Sequence, residues 1–164
     1  MTLVNVSRGE TKPLLHLVAE EARTVQQFVD LLNREQTALS AGETDELPAL
    51  AEQKSTLAND LVNLDKQRND LLAVRGFKSG RKGIEAWCTK YPAEQAVADT
   101  WATILKTATE ARELSRLNGD LIQLRLNVTA KALQALQAGK SSLDLYGPDG
   151  QATNSGQRRI DHAV

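Results

Sequence analysis

Hydrophobic positions recur along most of this chain at alternating steps of three and four, the spacing that keeps side chains on one face of a helix. A first run places Val18, Glu21, Val25, Phe28, Leu32, Glu35 and Leu39 on one stripe, and a second places Leu50, Lys54, Leu57, Leu61, Leu64, Arg68 and Leu71 on another. Each stripe is the heptad seam of a coiled coil. Pro13 is favoured in a first helical turn, with Thr11 available as a cap, and Ala41-Gly42 stops that helix near Ser40. Thr44-Asp45 offers a capping oxygen to the second helix, which tolerates Pro48 only in its first turn and ends at Gly76. Pro92 opens a third helix that reaches about Ala138. The pattern therefore predicts an all-α chain, with a long antiparallel coiled-coil-like hairpin (helices 13–40 and 45–75) and a third long helix (92–138). The helical domain, 13–138, lies between an N-terminal tail, 1–12, and a flexible C-terminal tail, 139–164, where Gly, Ser, Asn, Asp and Gln replace the periodic pattern.

The short connection forces the first two helices antiparallel. Folding about the midpoint of Thr44 and Asp45 sets Leu39 against Leu50, Leu32 against Leu57, Phe28 against Leu61, Val25 against Leu64 and Val18 against Leu71. Two heptad stripes can always be mirrored, so the apolar matches say little. The charges are informative: Glu35 falls opposite Lys54, and Glu21 opposite Arg68. A slip of one heptad sets Lys54 against Phe28 and Arg68 against Leu14, so each seam charge loses its partner. Glu21, Arg68, Glu35 and Lys54 are thus read as register-selecting pairs and not as an acid/base site. A flanking row of Leu15, Ala22 and Val29, matched by Ala51, Ala58 and Leu72, makes a groove for a third helix.

That third helix carries more apolar surface than one groove covers. One stripe runs through Val97, Trp101, Ile104, Ala108, Ala111, Ile122, Leu133 and Leu136; another, confined to the later half, through Leu114, Leu117, Leu121, Leu124 and Val128. One of the two must find a self-partner, a foreign partner or a bend that folds it away. Gly119 weakens the helix there by about 1 kcal/mol relative to Ala. Two occupants remain open on this pattern: a helix captured from another protein, or a second copy in a constitutive homo-oligomeric coiled-coil adaptor.

Composition narrows the classes. The formal net charge of −1 lacks the footprint of a general nucleic-acid or membrane-surface binder. The basic run Arg75-Gly76-Phe77-Lys78-Ser79-Gly80-Arg81-Lys82-Gly83 reads as a solvated connector, with one short turn around Ile84 to Cys88. Aromatics at 4% leave Leu, Val and Ala to build the core. No leader or membrane span is evident, and a single Cys88 fits a reducing, cytoplasmic setting. His16, His162 and Cys88 show no metal-ligand spacing, and Gly139-Lys140-Ser141 lacks both the earlier glycine and the strand of a phosphate loop. The expectation is a protein that binds proteins, with no cofactor, no metal and no catalytic residues.

Several segments, taken in order, resemble the flagellar export chaperones of the FlgN type. They are Leu31-Leu32-Asn33-Arg34-Glu35-Gln36-Thr37-Ala38-Leu39, then Lys54 and Arg68, then Leu117-Asn118-Gly119-Asp120-Leu121-Ile122 with Asn127, and finally Leu145-Tyr146-Gly147-Pro148-Asp149-Gly150-Gln151. Each is weak alone; the ordered set, spanning about residues 14 to 151, is fairly specific. The resemblance implies a cytoplasmic chaperone, monomeric or weakly dimeric, that holds the C-terminal helical segments of the two hook–filament junction proteins unpolymerised and delivers them to the export-gate protein of the flagellar type III apparatus. It further implies that Leu114, Leu117, Asn118, Leu121, Leu124 and Val128 bind substrate and that Leu145, Tyr146 and Gly147 dock on the export gate. The chain departs from the family's pattern in its longer, basic, Gly-rich connector and in Pro148.

The seam charges give the sequence reading its first test. Lys54→Glu should lower the melting temperature, and adding Glu35→Lys should restore it; a double variant no more stable than the single one would mean that the register is wrong.

Overall fold

In a computed structural model, the backbone is described over residues 12–144 and side chains over 13–139. Helix α1 spans Lys12–Ala41 and α2 spans Leu47–Val74; α3 is the short helix Gly80–Lys90, and α4 spans Gln95–Asp144. The described residues contain no strand. The chain divides into two units, Met1–Ile122 and Gln123–Val164. The first holds α1, α2, α3 and α4 as far as Ile122; in the second, α4 continues from Gln123 to Asp144. Thr11, His162 and the segment Leu145-Tyr146-Gly147 lie outside the described residues, as do most of both predicted tails.

The helix ends follow backbone chemistry. At the end of α1, Gly42 adopts φ 83°, and the amides of Gly42 and Glu43 both donate to the Ala38 carbonyl at 3.0 Å. A positive φ is cheap only for glycine and turns the chain out of the helix while satisfying a terminal carbonyl. Gly76, at φ 78°, ends α2 in the same way, with the amides of Arg75 and Phe77 donating to Leu72. The start of α2 differs from the expected cap. Glu46, not Thr44 or Asp45, occupies the cap position, and its side chain makes no capping bond. Pro48 sits in the first turn, where its missing N–H costs nothing.

Two polar pairs, one buried and one partly buried, tie α1 to α2. Lys54 Nζ donates to Glu35 Oε1 at 2.6 Å, and Arg68 Nη1 donates to both oxygens of Glu21. These contacts place the helices in the antiparallel register in which Glu35 faces Lys54 and Glu21 faces Arg68. The Arg68 side chain is 3% exposed, its second amino group reaches Asp65, and its guanidinium carbon lies 5.0 Å from the centre of the Trp101 ring on α4. One buried cation thereby connects three helices.

The main apolar cluster gathers Leu14 and Val18 from α1, Leu72 from α2, Ile84 and Trp87 from α3, and Val97, Trp101 and Ile104 from α4. Two features depart from the sequence reading. Aromatics, although few, concentrate here: Trp87 packs against Tyr91 and Phe77 with ring centres 4.8 and 5.2 Å apart, and its indole N–H donates to Glu94 at 2.7 Å. The basic run is also more than a solvated connector, because its C-terminal part is the start of α3. Gly83 is buried, and a Cβ there would fall 1.7 Å from the Lys78 carbonyl oxygen. Only glycine lets α3 press against the preceding loop so closely. At the start of α3 the Gly80 amide is held by Asn69 Oδ1 at 2.8 Å.

Removing one member of a buried ion pair leaves the other charge desolvated and unmatched, which costs about 3–5 kcal/mol, whereas an apolar pair of similar volume is tolerated. Arg68→Leu should therefore destabilise the protein by about that amount in urea unfolding, and Glu21→Leu added to it should recover most of the loss. A double variant as unstable as Arg68→Leu alone would show that Arg68 acts through packing and not through its charge.

Candidate partner-binding surface

Up to Ile122, α4 lies on the hairpin along a single seam. Val97, Trp101, Ile104 and Thr107 are buried; Ala108, Ala111 and Leu114 are half-buried; Asn118 is 2% exposed, and Leu121 is half-buried again. From Ile104 through Ala108, Ala111, Leu114 and Asn118 to Leu121 the steps of three and four are unbroken, with Thr107 beside them, but the seam crosses from the first predicted stripe to the second at Leu114. Asn118 hides the crossing in the sequence, since a polar residue at a seam position interrupts an apolar pattern.

Asn118 is not a surface residue. Its Nδ2 donates to the Leu32 carbonyl and to Glu35 Oε2, each at 2.9 Å, while its Oδ1 is buried without a hydrogen-bond partner. Glu35, 4% exposed, thus accepts from Lys54 on α2 and Asn118 on α4. This second polar node lies two heptads along the hairpin from the Glu21–Arg68 node. Each node joins α1, α2 and α4.

Of the six residues implied as substrate-binding, the structure places Leu114, Asn118 and Leu121 in the seam. Leu117 is 36% exposed in the first unit, while Leu124 and Val128 are 59% and 60% exposed in the second. Further apolar residues stand exposed beside them. In the first unit Ile122 is 40% exposed; in the second, Leu126, Leu133 and Leu136 are all more than half exposed. Leu126 was on neither predicted stripe, so periodicity alone did not mark it. The helix is unbroken through Gly119 and passes Ala138 and Gly139 to end at Asp144.

Within the first unit, an open groove of about 380 Å³ runs beside the seam, walled by Phe28, Leu32 and Glu35 of α1, Lys54, Ser55 and Ala58 of α2, and Ser115, Asn118, Gly119 and Ile122 of α4. Its walls are mainly hydrocarbon. Its ionic members, Lys54 and Glu35, are paired with each other.

Cys88 is half-buried beside the aromatic cluster. Burial pushes its thiol above the ordinary value, and the nearby carboxylates of Glu94 and Glu85 push it further in the same direction. A thiol so placed is a poor nucleophile at neutral pH. Among the described residues no group of three or more His, Cys, Asp or Glu side chains could hold a metal ion, and no helix is long and apolar enough to cross a membrane.

A helical hairpin overlaid by a further long helix that leaves many of its aliphatic side chains uncovered defines a class of all-helical proteins. Comparison with known proteins is more specific. The chain belongs to the FlgN family: the family model described as FlgN protein matches residues 10–154. It is 29% identical over 148 residues to the flagella synthesis protein FlgN of Proteus mirabilis, covering 89% of this chain and 92% of that protein. No solved structure matches it.

The burial pattern separates two leucines that the sequence placed on one stripe. Leu121→Asp puts a carboxylate into the half-covered seam and should destabilise the fold by about 1–3 kcal/mol, whereas Leu124→Asp should fall within about 0.5 kcal/mol of the parent protein. Thermal melts followed by circular dichroism measure both, and equal losses would show that Leu124 is not a free surface residue.

Proposed function

We propose that this protein is a cytoplasmic flagellar export chaperone that binds the C-terminal helical segments of the hook–filament junction proteins, prevents their premature assembly and delivers them to the export gate. The observation that carries this reading is the set of large apolar side chains that α4 leaves exposed: Leu117 and Ile122 beside the seam in the first unit, and Leu124, Leu126, Val128 and Leu133 in the second. Exposing that many large aliphatic side chains opposes solubility unless a partner covers them. An amphipathic helix laid along another helix is the simplest cover, since apolar residues three and four apart supply matching ridges. Family membership and the flagella synthesis role in the name of the Proteus mirabilis relative support the flagellar assignment.

The residues proposed to touch substrate are Leu117, Leu124 and Val128, supported from the seam by Leu114, Asn118 and Leu121. The segment Leu145-Tyr146-Gly147 is proposed to dock on the export-gate protein. A lone Tyr ahead of Gly-Pro-Asp-Gly turn residues is a compact anchor for such a contact. Dividing the chain between a helical domain and a short terminal docking motif keeps cargo binding separate from delivery.

Calorimetric titration with the C-terminal segments of the two junction proteins tests the proposal. Saturable one-to-one binding is expected, weakened at least about tenfold by Leu124→Asp and unchanged by Tyr146→Ala, which should abolish only export-gate binding. Leu124→Asp serves better than Leu121→Asp, whose effect on the fold would be confounded with its effect on binding. If the segments do not bind and light scattering finds a tight dimer that Leu124→Asp dissociates, the protein is a homo-oligomeric adaptor.

A further inference from the structure

The second unit, in which α4 runs from Gln123 to Asp144, exposes its apolar side chains in more than one direction. At about 100° per residue, Leu126, Leu133 and Leu136 share one face, while Leu124 and Val128 point about 150° away from it. All of them are more than half exposed. On one side the two faces run together, because Ala132 and Gly139 are small and the stem of Arg125 is hydrocarbon. The result is an apolar arc about 200° wide. Gln123, Asn127 and Gln134 occupy the other side. The charges are equally one-sided. Between Asp120 and Asp144 the helix carries Arg125, Lys131 and Lys140 and no acidic residue. Lys131, on the same face as Leu124, therefore has no carboxylate within a helical turn of its own sequence.

We propose that this part of α4 is captured between two helices of one partner, a helical hairpin that lies along both faces and brings acidic side chains to Lys131. A single neighbouring helix covers a stripe about 100° wide, half of the arc, and would leave either Leu133 or Leu124 in water. Helices apolar over so wide an arc belong inside bundles. The charges select the occupant. Two copies of this segment laid together, parallel or antiparallel, would set cations against cations. A lipid surface fits no better: an interfacial helix keeps its cations on its polar face, whereas Arg125 lies within the apolar arc. An acidic helical hairpin satisfies both the width of the arc and the sign of its charge. This inference rests on the reading of the protein as a chaperone for helical segments; it adds that the bound segment supplies two helices and carries the opposite charge.

Titrating the full chain with the two junction-protein segments, at low and at high salt, decides the matter. One-to-one binding is expected. Leu133→Asp and Leu124→Asp should each weaken it at least about tenfold, and the double variant by about the product of the two, because each leucine meets a different helix. Lys131→Gln should weaken binding and flatten its dependence on salt, whereas Gln134→Ala, on the polar side, should leave affinity unchanged. All of these side chains are exposed, so the variants should melt with the parent protein. Loss of affinity with only one of the two leucine variants would mean a single-helix partner and overturn the inference, although the chaperone reading stands. Two segments bound per chain, or an affinity indifferent to salt and to Lys131→Gln, would overturn it as well. A parent protein that binds neither segment sinks the chaperone reading and this inference together. A parent dimer that Leu133→Asp dissociates would assign the arc to a second copy.

Discussion

Burying a guanidinium is the constraint on which the rest of this fold depends. Arg68 cannot leave water without a carboxylate, and the Glu21 carboxylate that meets it is itself buried. The ring of Trp101 covers the guanidinium, so the cation also locates α4. With that contact fixed, α1 and α2 have one register. The second node, Glu35 with Lys54 and Asn118, falls in place two heptads away. Neither node need add much net stability. Their effect is to make every other register or docking angle expensive, because each alternative strands a buried charge or amide.

The apolar cluster is placed asymmetrically relative to these nodes. Trp87, Trp101, Ile84 and Leu72 gather where α3 packs against the N-terminal parts of α1 and α4 and the C-terminal part of α2. Glycine at position 83 makes this possible by letting α3 lie against the Lys78 carbonyl. Toward the other end of the hairpin, Leu32, Leu39 and Leu50 are buried while Leu57 and Leu61 are half-covered, and α4 is held there through Asn118 together with the half-buried Leu114 and Leu121.

A binding surface must be apolar enough to capture a partner and covered enough to persist without one. In this chain the surface proposed to bind a partner strikes that compromise along α4. Leu114 and Leu121 turn inward and are half-covered, whereas Leu117 and Ile122, interleaved with them, face outward. Neighbouring residues of a single apolar run thus serve different ends. A rotation of α4 by one residue, about 100°, would swing Leu114 and Leu121 out of the seam, and the hydrogen bonds of Asn118 to Leu32 and Glu35 oppose that rotation.

The all-helical class, the antiparallel hairpin and its glycine stops follow from sequence, because they depend on local spacing and on backbone freedoms that only glycine has. The Glu35–Lys54 and Glu21–Arg68 contacts were legible as well, since two charges on apolar stripes must find each other. The family resemblance rested on short ordered motifs and needed no structure. Tertiary structure alone decided that Gly83 is a point of backbone contact and that the basic run leads into a full helix; close approach leaves no periodic trace. It also decided which leucines of α4 are covered. Sequence showed two apolar stripes but not the seam between them, because the residue that joins them, Asn118, is polar and reveals its place only through the Leu32 carbonyl and the Glu35 carboxylate that it meets.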